Sequence, residues 1–239
     1  MSATNINYNG LGMMIFRAGV GFGFGLPSTE HLVGYWPLNE TSGTNAPDES
    51  GNGNDGTLVN MEDADWVDGV TGKCLSFDGS DEYVGATVTG LPIGNSARTV
   101  TAWFQTSSVP YDHNTVFAYG TGIRGTPIYL ITLRSDGTVY SETGSGSNPL
   151  TSATSKADGV WHHVALSYTG SVETLYIDGI LEDQTGSITI DTESSDFEIA
   201  NMPWHGDFKF TGLIDEVRIY STALTASEIK ALYDYPGGV

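Results

Sequence analysis

The loop at residues 48–58 is crowded with side chains that bind hard cations. Asp48, Asn52, Asn54 and Asp55 bring carboxylate and amide oxygens together in a short, glycine-containing stretch. Calcium takes about six to eight such oxygens, from side chains and from backbone carbonyls. The pattern predicts a structural calcium site, and the alternative is that Asp48 and Asn54 only form Asx turns.

Two other loops combine aromatic and polar side chains, which is the mixture that binds sugars. One carries Tyr111 and His113, and the other carries Trp204 and His205. Neither loop follows the alternation of a core strand. We predict that these four residues contact a ligand, and the alternative is that their rings pack against the rim of the domain.

The elements that must position these loops are β-strands. Val164, Leu166 and Tyr168 alternate along one strand, and residues 175–177 continue the pattern in the next. Asp178-Gly179 is a strong signal for a tight turn after the second strand. Because neighbouring strand residues point to opposite faces, the pair at 162–163 is predicted to be structural and not a metal site.

Composition excludes several classes of function. The chain has 239 residues and a net charge of −20, with nine Lys and Arg against 29 Asp and Glu, which argues against nucleic-acid binding. The single Cys74 excludes an internal disulfide and a cysteine-based zinc site. Short apolar stretches between turn residues favour an all-β sandwich, and none approaches the roughly 20 residues of a transmembrane helix.

Residues 1–30 differ from the rest of the chain, since they are rich in glycine and almost uncharged. Val20, Phe22, Phe24 and Leu26 fall on one face of an extended strand, and glycines fall on the other. The stretch has no basic segment before it, so it fits a secretory signal peptide poorly. We predict an assembly arm that docks on its own domain or on a neighbouring chain.

Motifs in the remaining segment, residues 31–239, resemble those of laminin G-like domains. They include Trp161-His-His-Val followed by Tyr-Ile-Asp-Gly179, a Phe-Asp-Gly turn within 75–84, the Asp/Asn-rich loop at 48–58, and the stretch at 210–220. The resemblance implies an antiparallel jelly-roll β-sandwich of the concanavalin A-like type. One short C-terminal helix at 226–233 follows a capping box formed by Thr225 and Glu228.

The resemblance also bears on the metal and on catalysis. Related domains often hold one calcium where the two ends of the domain meet, which implies Asp48, Asn54 and Asp215 as ligands, with Asn52 beside them. Some glycosidases share the jelly roll and use two nearby carboxylates. The acids at 193, 196 and 198 have the wrong spacing for the strand motif of those enzymes, so we predict a protein that is not an enzyme.

The sequence therefore predicts a surface structural, decoration or adhesion protein of a virion or filament type. The arm would anchor the protein in an oligomeric assembly. The laminin G-like domain would face outward and bind the ligand. The alternative is a secreted, calcium-dependent lectin-like module that binds carbohydrate or glycoprotein, and a glycoside hydrolase is a minor alternative. Both main hypotheses place the protein outside the cell or on a particle surface.

Overall fold

Two antiparallel sheets of eight strands each pack face to face. The computed structural model describes residues 25–110, 112–121, 128–143, 149–194, 196–203 and 208–238. The chain forms one α-helix, α1 (Ala226–Asp234), and two short 3-10 helices at Thr29–His31 and Asp63–Asp65 within these residues. The predicted all-β sandwich is confirmed.

The two sheets draw their strands from the whole length of the chain. The first sheet, in spatial order, contains β14 (Ile180–Gln184), β13 (Glu173–Ile177), β12 (Trp161–Tyr168), β7 (Arg98–Gln105), β16 (Thr211–Tyr220), β5 (Lys73–Asp78) and β4 (Trp66–Asp68), with β1 (Leu32–Trp36) also beside β16. The second sheet contains β11 (Thr151–Ser155), β10 (Thr138–Glu142), β9 (Ile128–Leu133), β8 (Asn114–Gly120), β15 (Phe197–Ile199), β6 (Tyr83–Ala86), β3 (Gly56–Val59) and β2 (Asn45–Ala46).

The core lies between the sheets and is built by strand alternation. Val164, Leu166 and Tyr168 of β12 point inward, as the sequence predicts, and are fully buried. Asp178 and Gly179 both adopt positive φ, of 54° and 74°, at the tight turn between β13 and β14. This is the backbone of a two-residue type I′ turn, which matches the right-handed twist of the strands it joins.

Helix α1 covers the outer face of the first sheet. Its Ile229 and Leu232 pack with Tyr35, Tyr176 and other buried side chains of that face in a second apolar cluster. The predicted capping box is present, since the Thr225 hydroxyl accepts from the backbone N–H of Glu228 and the Glu228 carboxylate accepts in return. The central strands of the first sheet are thus buried on both faces.

The two neighbouring histidines confirm that adjacent strand residues face opposite ways. The His162 ring lies 5.9 Å from that of Phe104, on the inner side, and its nitrogens contact the carboxylates of Asp178 and Asp158 at 2.9 and 3.2 Å. The His163 ring lies 5.4 Å from the ring of Trp103, under α1. Both histidines therefore make structural contacts on opposite faces of the sheet, as predicted.

Of the predicted arm residues, Val20, Phe22 and Phe24 lie outside the described residues. Leu26 is described, and it packs against the second apolar cluster beside α1. Leu26 therefore contacts its own domain. None of the helices in the part of the chain that the structure describes is long and apolar enough to cross a membrane.

Candidate functional site

The outer face of the second sheet is not covered by α1, and a row of paired residues crosses it. Strand register places Thr57 beside Gly85, Gly85 beside Glu198, and Glu198 beside Ala118. The row continues to Leu130 and then to Glu142. Paired residues in neighbouring strands share a face, so these side chains project to the same side of the sheet.

Gly85 leaves a space in this row, which we call the Gly85 gap and define by Thr57, Tyr83, Gly85 and Glu198. A Cβ built on Gly85 would meet only the Tyr83 ring, at 3.5 Å, which is an ordinary contact distance. Thr57 is exposed on one side, and Glu198 is half-buried on the other. The gap therefore has an aromatic ring along the strand, a hydroxyl at one side and a carboxylate at the other.

The carboxylate of Glu198 is held by its neighbours. Its Oε2 atom accepts a hydrogen bond from Nδ2 of Asn201. Burial raises the pKa of Glu198, while the Asn201 hydrogen bond and the charge of Lys209 lower it. Lys209 itself lies with Nζ 4.4 Å from the centre of the Tyr83 ring, and burial lowers its pKa. A carboxylate, an ammonium group and an aromatic ring thus meet at the gap.

Asn201 carries an acceptor with no partner. The residue is only 6% exposed, and Oδ1 is buried without a hydrogen bond to any of the described residues. Because a carboxylate can only accept, the amide must turn its NH₂ group toward Glu198 and its oxygen away. An unpaired buried acceptor costs about 1–3 kcal/mol.

Apolar side chains cover the middle of the same face. Ala118, Ile128 and Leu130 project from β8 and β9, and Met202 packs on them, with Phe208 against the edge of this small cluster. Met202 and Phe208, which follow β15 in the chain, therefore pack over the sheet on the Ala118 side of Glu198.

His113 is the one predicted ligand residue that the structure describes, and it lies at the far end of this face. Its ring is 4.7 Å from that of Phe208 and 6.3 Å from that of Tyr140. The Arg134 guanidinium lies over the Tyr140 ring, 3.8 Å from its centre. Tyr111, Trp204 and His205 lie outside the described residues, so their ligand contacts stay predictions.

The loop at 48–58 is built around Asp48, whose carboxylate accepts four hydrogen bonds. Oδ1 accepts from the backbone N–H groups of Tyr35 and Ser50, both at 2.9 Å. Oδ2 accepts from the Ser50 hydroxyl at 2.8 Å and from the N–H of Asn54 at 2.9 Å. Asp48 thus ties the loop to β1, in the manner of an Asx turn.

The other predicted metal ligands also hold the backbone. Nδ2 of Asn52 donates to the carbonyl of Leu32 at 2.8 Å, and Nδ2 of Asn54 donates to the carbonyl of Val33 at 2.8 Å. Asp215 accepts instead from the N–H of Val70 at 2.8 Å.

Asp48, Asn52 and Asn54 thus use side-chain groups to hold the backbone, while Oδ1 of Asp215 is buried without a partner among the described residues. Within the described ranges no group of three or more His, Cys, Asp and Glu side chains could hold a metal ion. Calcium therefore stays a prediction from the oxygen-rich loop and the resemblance.

Sequence reasoning missed the Gly85 gap. It considered Glu198 only as a catalytic acid and did not select Gly85, Asn201 or Lys209. The alternation of Tyr83 and Gly85 along a short strand was a usable signal, since glycine in a strand often marks a close approach. The pairing of that strand with β15 was not readable from local pattern.

Comparison with known proteins agrees with this architecture. The model of the Laminin_G_3 family, of the concanavalin A-like lectin/glucanases superfamily, matches residues 78–230, which is more than half of the chain. The chain belongs to this family. This concanavalin A-like chain is also 28% identical over 104 residues to the adhesion G-protein coupled receptor V1 of Danio rerio; the match covers 41% of the chain but only 2% of the receptor.

Solved structures share the fold at low sequence identity. Domain 4 of AbnA, an extracellular arabinanase of Geobacillus stearothermophilus solved in complex with arabinotriose, has a TM-score of 0.63 at 22% identity. The match covers 85% of this chain and 98% of that domain. The binding domain of Paraclostridial Mosquitocidal Protein 1 has a TM-score of 0.65 at 17% identity, over 86% of this chain and 52% of that one.

A sialidase shows that enzymes also carry the fold. Trypanosoma rangeli sialidase matches with a TM-score of 0.67 at 16% identity, over 90% of this laminin G-like chain and 34% of the sialidase. The fold is thus shared by binding domains and by proteins with enzymatic names. Fold alone does not assign an activity.

Proposed function

We propose that this protein is a carbohydrate-binding module of the adhesion type, with its ligand site at the Gly85 gap. The observation that carries the proposal is the missing side chain at Gly85, between the exposed Thr57 and the half-buried Glu198. A sugar ring needs a flat surface to stack on and polar groups at its edge. Tyr83 borders the gap with an aromatic ring, and Lys209 covers one face of it, so a sugar would contact the remaining face. Glu198 and Thr57 supply the polar groups.

Two further observations support the outer face of the second sheet as the ligand face. The centre of the first sheet is covered on its outer side by α1, whereas the Gly85 position of the second sheet is not. A relative of the same fold, domain 4 of the arabinanase, was solved with arabinotriose. Neutral arabino-oligosaccharides are therefore the first ligands to try.

The test is to fill the gap without disturbing the fold. Full-length protein is screened on immobilised glycans, and binding of the best oligosaccharide is measured by calorimetry for wild type and for Gly85→Val. We expect at least a tenfold loss of affinity, because the valine side chain takes the place of the sugar. The matched control is Gly186→Val, at an exposed glycine whose Cβ would meet nothing within 4 Å.

Two results would overturn the proposal. One is a wild-type protein that binds none of the glycans in the screen. The other is a Gly85→Val variant with the thermal stability and the affinity of wild type, because a ligand at the gap cannot tolerate the added side chain.

A glycoside hydrolase is the second candidate, and one observation favours it. Asp196 and Glu198 are two residues apart at the start of β15, which corresponds to about 7 Å along an extended chain, and the charge of Asp196 raises the pKa of Glu198. Catalytic carboxylates of glycosidases lie about 5–10 Å apart. The next acid in the row, Glu142, is three strands from Glu198, or about 14 Å away, which is too far.

We favour binding over hydrolysis because the hydroxyl of Thr87 donates to the Asp196 carboxylate at 2.8 Å and Asp196 is exposed to solvent. Incubation of the purified protein with oligosaccharides, followed by a reducing-end assay, separates the two functions. Release of reducing ends that disappears in Asp196→Asn and in Glu198→Gln would replace the binding proposal by an enzymatic one.

We also propose a structural or decoration role, in which the N-terminal arm anchors the protein to an assembly. In it, Val20, Phe22 and Phe24 join the protein to an assembly while the sandwich presents the Gly85 gap. The two roles are compatible, since the gap lies on the second sheet and Leu26 packs against the apolar cluster over the first sheet.

A further inference from the structure

We infer that the Gly85 gap selects neutral sugars through their hydroxyl groups and rejects anionic glycans, with Glu198 as the residue that makes the distinction. The inference rests on the proposed function and names the ligand class of the same site. It follows from the balance of hydrogen-bond acceptors and donors at the gap, and from the sign of the charge around it.

The gap offers acceptors that need donors. Glu198 is acceptor-only when ionised, and one of its oxygens is already engaged by Asn201. A sugar hydroxyl can donate to the other oxygen. The carboxylate or sulfate of an anionic sugar brings only further acceptors, so it cannot make this hydrogen bond.

The charge around the gap adds to this preference. Glu198 is the acid inside it, Asp196 precedes the same strand, and the charges of Glu198 and Asp81 both act on Lys209. Lys209 is the basic residue at this position, and its ammonium group is turned to the Tyr83 ring. The whole chain carries a net charge of −20, so the long-range field also repels anions.

The expected discrimination is large enough to measure. Two like charges about 6 Å apart near a protein surface repel strongly at low salt, and partial screening reduces the effect. We therefore expect neutral ligands to bind at least about tenfold more tightly than ligands with a carboxylate at the contacting sugar. The difference should shrink as ionic strength rises.

The test uses ligands that differ only in charge. Binding of neutral arabino- and galacto-oligosaccharides is measured first, beside oligogalacturonates as free acids and as methyl esters, in low-salt buffer. The same panel is then titrated into Glu198→Gln, which keeps an acceptor oxygen for Asn201 but removes the charge. Glu30→Gln is the matched control, because it makes the same chemical change at an exposed residue near the start of the domain.

For wild type we expect the neutral ligands or the methyl esters to bind, and the free acids to bind at least about tenfold more weakly. In Glu198→Gln the ratio should fall toward one, while Glu30→Gln keeps the wild-type ratio. Equal binding of free acids and esters to wild type would overturn the inference and leave the proposed function standing. A ratio that survives in Glu198→Gln would also overturn it. Absence of binding to every glycan would instead refute the proposed function.

Discussion

We expect the buried acid Glu173 to make the stability of this protein fall as pH rises, and its replacement by glutamine to remove that loss. Glu173 lies on β13, between the sheets, and is 1% exposed. Oε2 accepts from the Ser141 hydroxyl at 3.4 Å, and Oε1 is buried with no partner among the described residues. Burial raises the pKa of Glu173 to about 8, although the nearby charge of Arg98 lowers it.

The sign and size of the effect follow from proton linkage. The unfolded chain releases this proton near the ordinary pKa of 4.5, whereas the folded protein keeps it until about pH 8. Raising the pH from 4.5 to 8 therefore favours the unfolded state. A difference of this size corresponds to at most about 5 kcal/mol, so we expect a loss of about 3–5 kcal/mol over the window.

Other groups titrate in the same range, so the comparison must be between variants. Burial raises the pKa of Asp215 to about 8, which adds to the loss at high pH. Burial lowers the pKa of His163 to about 3, so its contribution is complete above pH 6.5 and is lost as pH falls toward 3. Both contributions cancel in the difference between wild type and Glu173→Gln.

The assay is urea unfolding of both proteins at pH 4.5, 6 and 8. At pH 4.5 the two free energies of unfolding should agree within about 1 kcal/mol, because the glutamate is protonated in the folded protein. At pH 8 the variant should be about 3–5 kcal/mol more stable. Glu30→Gln, with the same change at the surface, should show no such gain. A difference between Glu173→Gln and wild type that does not change with pH would refute the reasoning.

Three further predictions concern the loop at 48–58 and the arm. Asp48→Ala should lower the free energy of unfolding by about 3 kcal/mol in urea, since it removes an acceptor of four hydrogen bonds; a loss no larger than that of Asp48→Asn would contradict this. Because Asp48 is engaged in this way, we expect the same melting temperature in calcium and in EDTA, and a clear rise with calcium would support the metal predicted from the sequence. Deletion of residues 1–24, which keeps Leu26 on its cluster, should leave the melting temperature unchanged; light scattering should then show a smaller particle than full-length protein, and equal masses would refute assembly through the arm.

Local interactions explain why much of the fold was predictable. The Asp178-Gly179 turn and the capping box of α1 depend on residues a few positions apart, whose backbone preferences are visible in the sequence. The alternation of Val164, Leu166 and Tyr168 likewise identifies the buried face of one strand. These features, with the motif order, were sufficient for an antiparallel sandwich with one short helix.

The roles of individual polar residues were less predictable, because they depend on what faces them. Asp48 and Asn54 were predicted as metal ligands or as Asx-turn residues, and only the neighbouring β1 decides that their groups hold backbone N–H and carbonyl groups. Asp215 belongs to the same sequence prediction, yet its carboxylate faces residues 70–71. The same carboxylate oxygens can bind a cation or accept hydrogen bonds from backbone N–H groups, and the sequence does not show which they do.

The sequence by itself determined the fold class, the turns, the helix and the acidic, binding-type character of this laminin G-like domain. Only the tertiary structure brought the residues of the candidate site together. Gly85 and Glu198 are far apart in the chain, and they become neighbours because β6 pairs with β15 in one register. A shift of that register by one residue would turn Glu198 toward the core, so the candidate site exists only through pairing between distant strands.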